Sequence, residues 1–105
     1  MEEITNLQSP QLIEAVRVWV GWGYRSWPGR DDERLVKHFG AEIAAKLLPL
    51  IKSLITDFYS SDAHLVAVDL QDMGRLASEQ FKQKHPTVAD EIVQAFDWCY
   101  TFDFK

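Results

Sequence analysis

The stretch Ala41–Tyr59, AEIAAKLLPLIKSLITDFY, decides the fold of this chain. Its apolar residues recur at helical spacing in two adjacent stripes, a width typical of the central helix of a bundle. Pro49 lies inside the pattern and cannot donate a backbone hydrogen bond, so we expect a kink there. One stripe holds Ile43, Leu47, Leu50, Leu54 and Phe58; the other holds Ala44, Leu48, Ile51, Ile55 and Tyr59.

Two shorter helices are predicted before this stretch. Ser9 can cap a helix that Pro10 begins, because proline is preorganised for the first helical position, and Gly21 can end it. Acids at 31–33 then favour a second helix start, and Gly40 supplies its end.

Two longer helices are predicted after Tyr59. The polar residues Ser60 to Asp62 can cap a helix that runs to His85, and Thr87 begins a last one. The first of these has one apolar stripe along its whole length: Val66, Leu70, Met73, Ala77 and Phe81.

The fold predicted from these segments is all-α. It is a compact bundle of four to five helices in a single helical domain over residues 1–105, with an aromatic, glycine-rich loop at 21–31. The alternative is an α+β fold with short strands at 16–20, 64–70 or 96–104, where apolar residues alternate or valines are frequent. Because no partner strand is evident for 96–104, we interpret that tail as a helix buried on both sides.

Composition favours a soluble, cytoplasmic protein. The chain has 105 residues, of which 47% are hydrophobic, enough to bury one core. It shows neither an N-terminal targeting pattern nor an apolar run long enough to cross a membrane. Cys99 is the lone cysteine and lies between Trp98 and Tyr100, which indicates a small buried hydrophobe in a reducing compartment.

The negative charge is concentrated in the C-terminal half. Residues 1–59 carry eight acids and seven bases, whereas residues 60–105 carry eight acids and four bases. Nucleic-acid binding needs a basic footprint, which this chain does not supply. An acidic surface favours a basic protein partner, or simply keeps a small domain soluble.

Recognisable catalytic chemistry is not evident in the sequence. Asp62, Asp69 and Asp72 share a helical face, yet a charged stripe opposite an apolar one is more simply a solvated surface than a cation site. Gly21 and Gly23 form a GxG that lacks the third glycine of a nucleotide loop. We therefore predict no catalytic residue, no metal site and no cofactor.

The loop at 21–31 has two interpretations. Trp22, Tyr24 and Trp27 can plug the end of the bundle, with glycines supplying unusual backbone angles, and this reading is favoured. Alternatively, these rings stay outside as anchors for a partner, because aromatic residues dominate binding hot spots.

The arginines near this loop suggest an alternative anion pocket. Arg25, Arg30 and Arg34 together could hold a phosphate or carboxylate beside the rings. The acids at 31–33 lie close in sequence, so internal salt bridges are the favoured interpretation.

The function predicted is a non-enzymatic protein-binding module. Bacterial immunity proteins and antitoxins, which mask basic active sites, share its small, acidic, helical character, so an inhibitor of this type is one form of the hypothesis. The alternative is a small-molecule-binding regulator or small enzyme using the arginines, and a homodimer through the aromatic tail is a further possibility. The residues predicted to bind a partner are Trp22, Tyr24, Trp27, Asp69, Asp72, Asp90, Asp97 and Asp103.

Overall fold

A computed structural model describes residues 7–23 and 28–104, and in these residues it shows the predicted all-α bundle. No β-strand forms within the described ranges, so the tail at 96–104 is helical, as are residues 16–20. The helices are α1 (Pro10–Val20), α2 (Asp32–Phe39), α3 (Ala41–Tyr59), the single turn α4 (Ala63–Val66), α5 (Leu70–Lys84) and α6 (Asp90–Phe104).

The ends of the first two helices follow the local chemistry expected of them. The Ser9 hydroxyl accepts a hydrogen bond from the Leu12 amide at the start of α1. Gly21 ends that helix in the left-handed conformation at φ 88°, which a side chain would disfavour. The Asp31 carboxylate caps α2 by accepting from the Arg34 amide at 3.1 Å.

The central helix α3 is bent by 22° and contains Pro49. Proline removes one amide donor, and its ring crowds the carbonyl of Ala45, which opens the helix at that point. Both Pro49 and Ala45 are exposed, so water can bind the freed carbonyl without disturbing the core.

Four large rings hold α3, α5 and α6 together. Phe58 of α3 lies 5.2 Å from Phe81, 5.9 Å from Phe96 and 5.6 Å from Tyr100, measured between ring centroids. All four side chains are fully buried. Their tilted and edge-to-face arrangements are those that aromatic pairs prefer, so this cluster is the centre of the core.

The two ends of the loop at 21–31 are joined by a bond between α1 and α2. The indole N–H of the buried Trp19 donates to Oδ1 of Asp32 at 2.8 Å, and the Lys52 ammonium binds Oδ2 at 3.1 Å. The indole and the ammonium together lower the pKa of Asp32. The loop is thus closed by a charge-assisted bond next to α3.

The chain between α3 and α5 differs from the continuous helix expected over this part of the sequence. Only Ala63–Val66 forms a helical turn, residues 67–69 leave the helix, and α5 begins at Leu70. The cause is local: Asp69 caps α5 by accepting from the Asp72 amide at 2.8 Å, and Asp72 accepts from the Val68 amide at 3.3 Å. Val66 therefore lies outside the apolar stripe to which its spacing had assigned it.

The hydroxyl of Tyr100 anchors this connecting segment to α6. It lies 3.3 Å from the Ser61 hydroxyl, accepts from the His64 amide at 3.2 Å, and lies 3.1 Å from Nδ1 of His64. The Tyr100 side chain is fully buried and Ser61 is nearly so. The hydroxyl thus provides hydrogen bonds to the buried Ser61 hydroxyl and to the partly buried His64 amide.

We predict that Tyr100→Phe lowers the free energy of unfolding by about 1 to 3 kcal/mol, because it leaves the His64 amide and part of the Ser61 hydroxyl unpaired. Urea denaturation measures this loss, and hydrogen exchange of the His64 amide should accelerate. Tyr59→Phe is the matched control, since its hydroxyl donates to the exposed Asp103, which water can solvate. Equal losses in the two variants would contradict this role of Tyr100.

Candidate functional site

Four apolar side chains between Leu65 and the first residue of α5 point into solvent. Leu65, Val66, Val68 and Leu70 are exposed to 75%, 60%, 87% and 39% respectively. We call these four residues the apolar ridge. Single exposed apolar residues are common, but a contiguous set on a small protein is typical of a surface that another molecule covers.

The end of α6 extends this apolar surface. The ring of Phe104 stacks on His64, with centroids 4.8 Å apart and planes 19° apart. Phe104 remains 43% exposed, and Phe102 is exposed to a similar extent. The tail is therefore not buried on both sides as predicted, because Phe102 and Phe104 are exposed and Phe104 lies between Tyr100 and the turn that leads into the ridge.

An acidic hollow adjoins the ridge. It has a volume of about 510 Å³, lies between the start of α5 and the middle of α6, and includes Val68 of the ridge in its wall. Its charged side chains are three carboxylates and one guanidinium, a net charge of −2. We call this the acidic hollow, lined by Val68, Asp69, Gln71, Asp72, Arg75 and Asp97.

Most of the charged groups in the hollow already have partners. Asp69 caps α5, and Asp72 binds Arg75, which lowers the pKa of the Asp72 carboxyl. Arg75 also donates to Glu79 one turn further along the helix, at 3.0 Å.

Asp97 is different. Its Oδ1 atom is buried and has no hydrogen-bond partner among the described residues, and burial raises the pKa of its carboxyl. Gly74 makes this placement possible, because a Cβ on Gly74 would overlap with that same oxygen. A carboxylate packed against a glycine without a cation is costly, and such groups are concentrated at functional sites.

The structure brings together some of the predicted acids and separates others. Asp69, Asp72 and Asp97 share the hollow. Asp103 lies near the end of α6 and accepts from the Tyr59 hydroxyl at 2.6 Å. Asp90 lies at the other end of α6, where it pairs with Lys82 at 3.3 Å, so it belongs to a separate part of the surface.

The predicted aromatic anchors are only partly described. Trp22 is half-buried and packs against the core, with the Arg17 guanidinium 5.6 Å from its ring centroid. This position agrees with the plug interpretation for that ring. Tyr24 and Trp27 lie outside the described residues, so the roles predicted for them stay predictions.

The two described arginines of the predicted anion pocket line different hollows. Arg30 lies over the ring of Tyr59 at 5.0 Å, in a hollow formed with α3. Arg34 lines another with Lys37 and His38. Arg25 lies outside the described residues, and Asp103 places a negative charge on the same Tyr59, so the anion pocket remains a hypothesis.

Sequence reasoning missed the ridge because two of its residues, Val66 and Leu70, fitted a helical stripe and were assigned to the core. The signal that could have located the break was Asp69, followed three residues later by Asp72 and preceded by two valines. Such a pair favours a new helix start, which would have left residues 65–68 outside the helix.

No protein-family model, curated protein or solved structure matches this chain. Within residues 7–23 and 28–104, no helix is long and apolar enough to cross a membrane, and no three metal-binding side chains converge. Cys99 is buried, and burial raises the pKa of its thiol to about 12, so it is not an activated nucleophile. The ridge and the acidic hollow are therefore the candidate binding surface of the described residues.

We predict that Asp97→Ala raises the free energy of unfolding at pH 7 by about 0.5 to 1 kcal/mol, because alanine is the better helix former and the buried charge is removed. The gain should shrink as pH falls. Burial raises the pKa of Asp97 in the folded state. Below the ordinary pKa of about 3.9 the carboxyl is protonated in both the folded and the unfolded chain and has no such cost. As pH rises from there through the pKa of the folded state, the carboxyl ionises more readily in the unfolded chain, and the folded state loses stability. Urea denaturation of both proteins at pH 7 and below pH 4 measures the difference; a destabilised variant at pH 7 would contradict it.

Proposed function

We propose that this chain is a non-enzymatic protein-binding module that covers a basic surface of another protein. The observation that carries the proposal is the apolar ridge, whose four side chains are exposed and one of which, Val68, also lines an acidic hollow. Interfaces combine an apolar centre with a polar rim, and burial of the ridge would supply the non-directional part of the binding energy.

The charge of the chain supports a basic partner. The net charge is −5, and four of these charges fall in residues 60–105, the half that forms the ridge, the hollow and α6. Complementary charge accelerates association and rejects acidic proteins. An inhibitor that masks a basic active site, as immunity proteins do, is one form of this function.

The cytoplasm is the compartment that fits the proposal. Cys99 is a free, buried thiol, as in proteins that stay in reducing surroundings.

The remaining candidate function is a small-molecule regulator with an anion pocket at Trp22 to Arg30. The observation in its favour is the exposed Arg30, which lines a hollow beside α3.

The test is affinity capture of the tagged chain from the cells that produce it, followed by mass spectrometry. We expect one basic protein at a stoichiometric level, with capture falling as ionic strength rises from about 0.05 to about 0.5 M, because salt screens the steering charges.

Leu65→Ser with Val68→Ser should weaken capture at least about tenfold, since exposed anchors carry much of the binding energy. Ile43→Ser on α3 is the control, being an apolar residue of comparable exposure to Leu70 on a different helix. Capture that is insensitive to salt would remove the charge argument, and the absence of any stoichiometric protein would favour the small-molecule alternative.

A further inference from the structure

We infer that the ridge and the hollow form one docking surface for a cationic amphipathic segment of the partner. Its apolar side chains would cover the ridge, and one arginine or lysine would place its charged head in the hollow. This inference rests on the proposed function and adds to it the chemistry of the segment that binds.

The apolar and acidic parts are physically continuous. Val68 belongs to the ridge and also lines the hollow. Its amide donates to Asp72, which fixes the exposed valine beside the acids. A ligand that covers Val68 therefore also reaches the hollow, so both parts favour the same amphipathic occupant.

One carboxylate of the hollow, that of Asp97, has no cation beside it among the described residues. Asp72 pairs with Arg75, whereas Asp97 makes no ion pair among the described residues. Its Oδ1 atom is packed against Gly74, so an entering cation would be attracted by the charge of this carboxylate across the hollow and not by a bond to Oδ1. The net charge of −2 in this hollow is complementary to an entering guanidinium or ammonium group.

A second copy of this chain fits the surface less well. In a two-fold dimer the same patch meets itself, so the acids of one hollow would face those of the other beside two apolar ridges. Like charges in that position cost free energy, and the chain as a whole carries −5. The charges thus favour a cationic partner over self-association.

Arg75 partly fills the role of the missing cation. It is more than half exposed and binds both Asp72 and Glu79, so its guanidinium lowers the negative charge of the hollow. Its removal should strengthen the binding of a cationic segment, whereas removal of Asp97 should weaken it. Two substitutions in one hollow then have opposite effects, which general instability cannot produce.

The experiment is a titration of the full-length, isotope-labelled chain with three synthetic peptides, followed by NMR. Each peptide has about 18 residues, or five helical turns. One carries leucines on one face and arginines on the other, the second replaces arginine by glutamate, and the third scrambles the first. We expect only the first to bind tightly, with shifts confined to residues 64–75 and 97–104.

The variants give the quantitative part. We expect Leu65→Ser with Val68→Ser to weaken binding of the arginine peptide about tenfold and Asp97→Ala about threefold to tenfold. Arg75→Gln should tighten it about threefold. Ile43→Ser should leave it unchanged, and thermal unfolding of each variant verifies that it is folded.

Equal binding of the glutamate or scrambled peptide, shifts on α2 and α3, or equal effects of Arg75→Gln and Asp97→Ala would overturn the inference. So would sedimentation that shows a dimer formed through the ridge. If a basic protein is captured from cells and the ridge variants release it, but the arginine peptide does not bind at residues 64–75 and 97–104, the proposed function stands and this docking chemistry fails. If the arginine peptide binds as expected but cells yield no protein partner, the docking chemistry stands and the proposed function fails.

Discussion

The hydroxyl of Tyr100 is the constraint on which the exposed surface depends. It binds Ser61 and His64 of the segment that follows α3, across 39 and 36 residues of sequence, and so holds that segment against α6. The ring of the same residue packs on Phe58 in the core. With the polar groups of the segment satisfied on its inner side, the side chains of Leu65, Val66 and Val68 face solvent.

Close packing between α5 and α6 sets the second half of the surface. Gly74 lets α6 approach until Asp97 lies against the helix, and the buried Oδ1 atom there gains no hydrogen bond from the described residues that would offset its burial. A sequence that optimised stability alone would place a small or apolar residue at position 97. An acid that costs stability beside an exposed apolar ridge is more easily understood as part of a binding surface.

Local chemistry made much of the fold predictable. Ser9 with Pro10, Gly21 and Asp31 act on neighbouring backbone groups, and the wide apolar face of Ala41–Tyr59 requires burial on several sides, so these features could be derived without the structure. The site could not be derived in the same way. Its geometry depends on the contact of Tyr100 with His64 and of Asp97 with Gly74, which join residues 36 and 23 positions apart, and helical spacing alone assigned Val66 to the core.

Photo-crosslinking in the cells that produce the protein tests the central claim most directly. A photoreactive amino acid at position 68 reports what covers the ridge, and the same group at position 43 on α3 reports non-specific contacts at a comparably apolar site. We expect one basic protein to be crosslinked from position 68 and not from position 43. Crosslinks from position 43 without any from position 68, or only crosslinks between two copies of this chain, would contradict the claim that the ridge docks a basic partner.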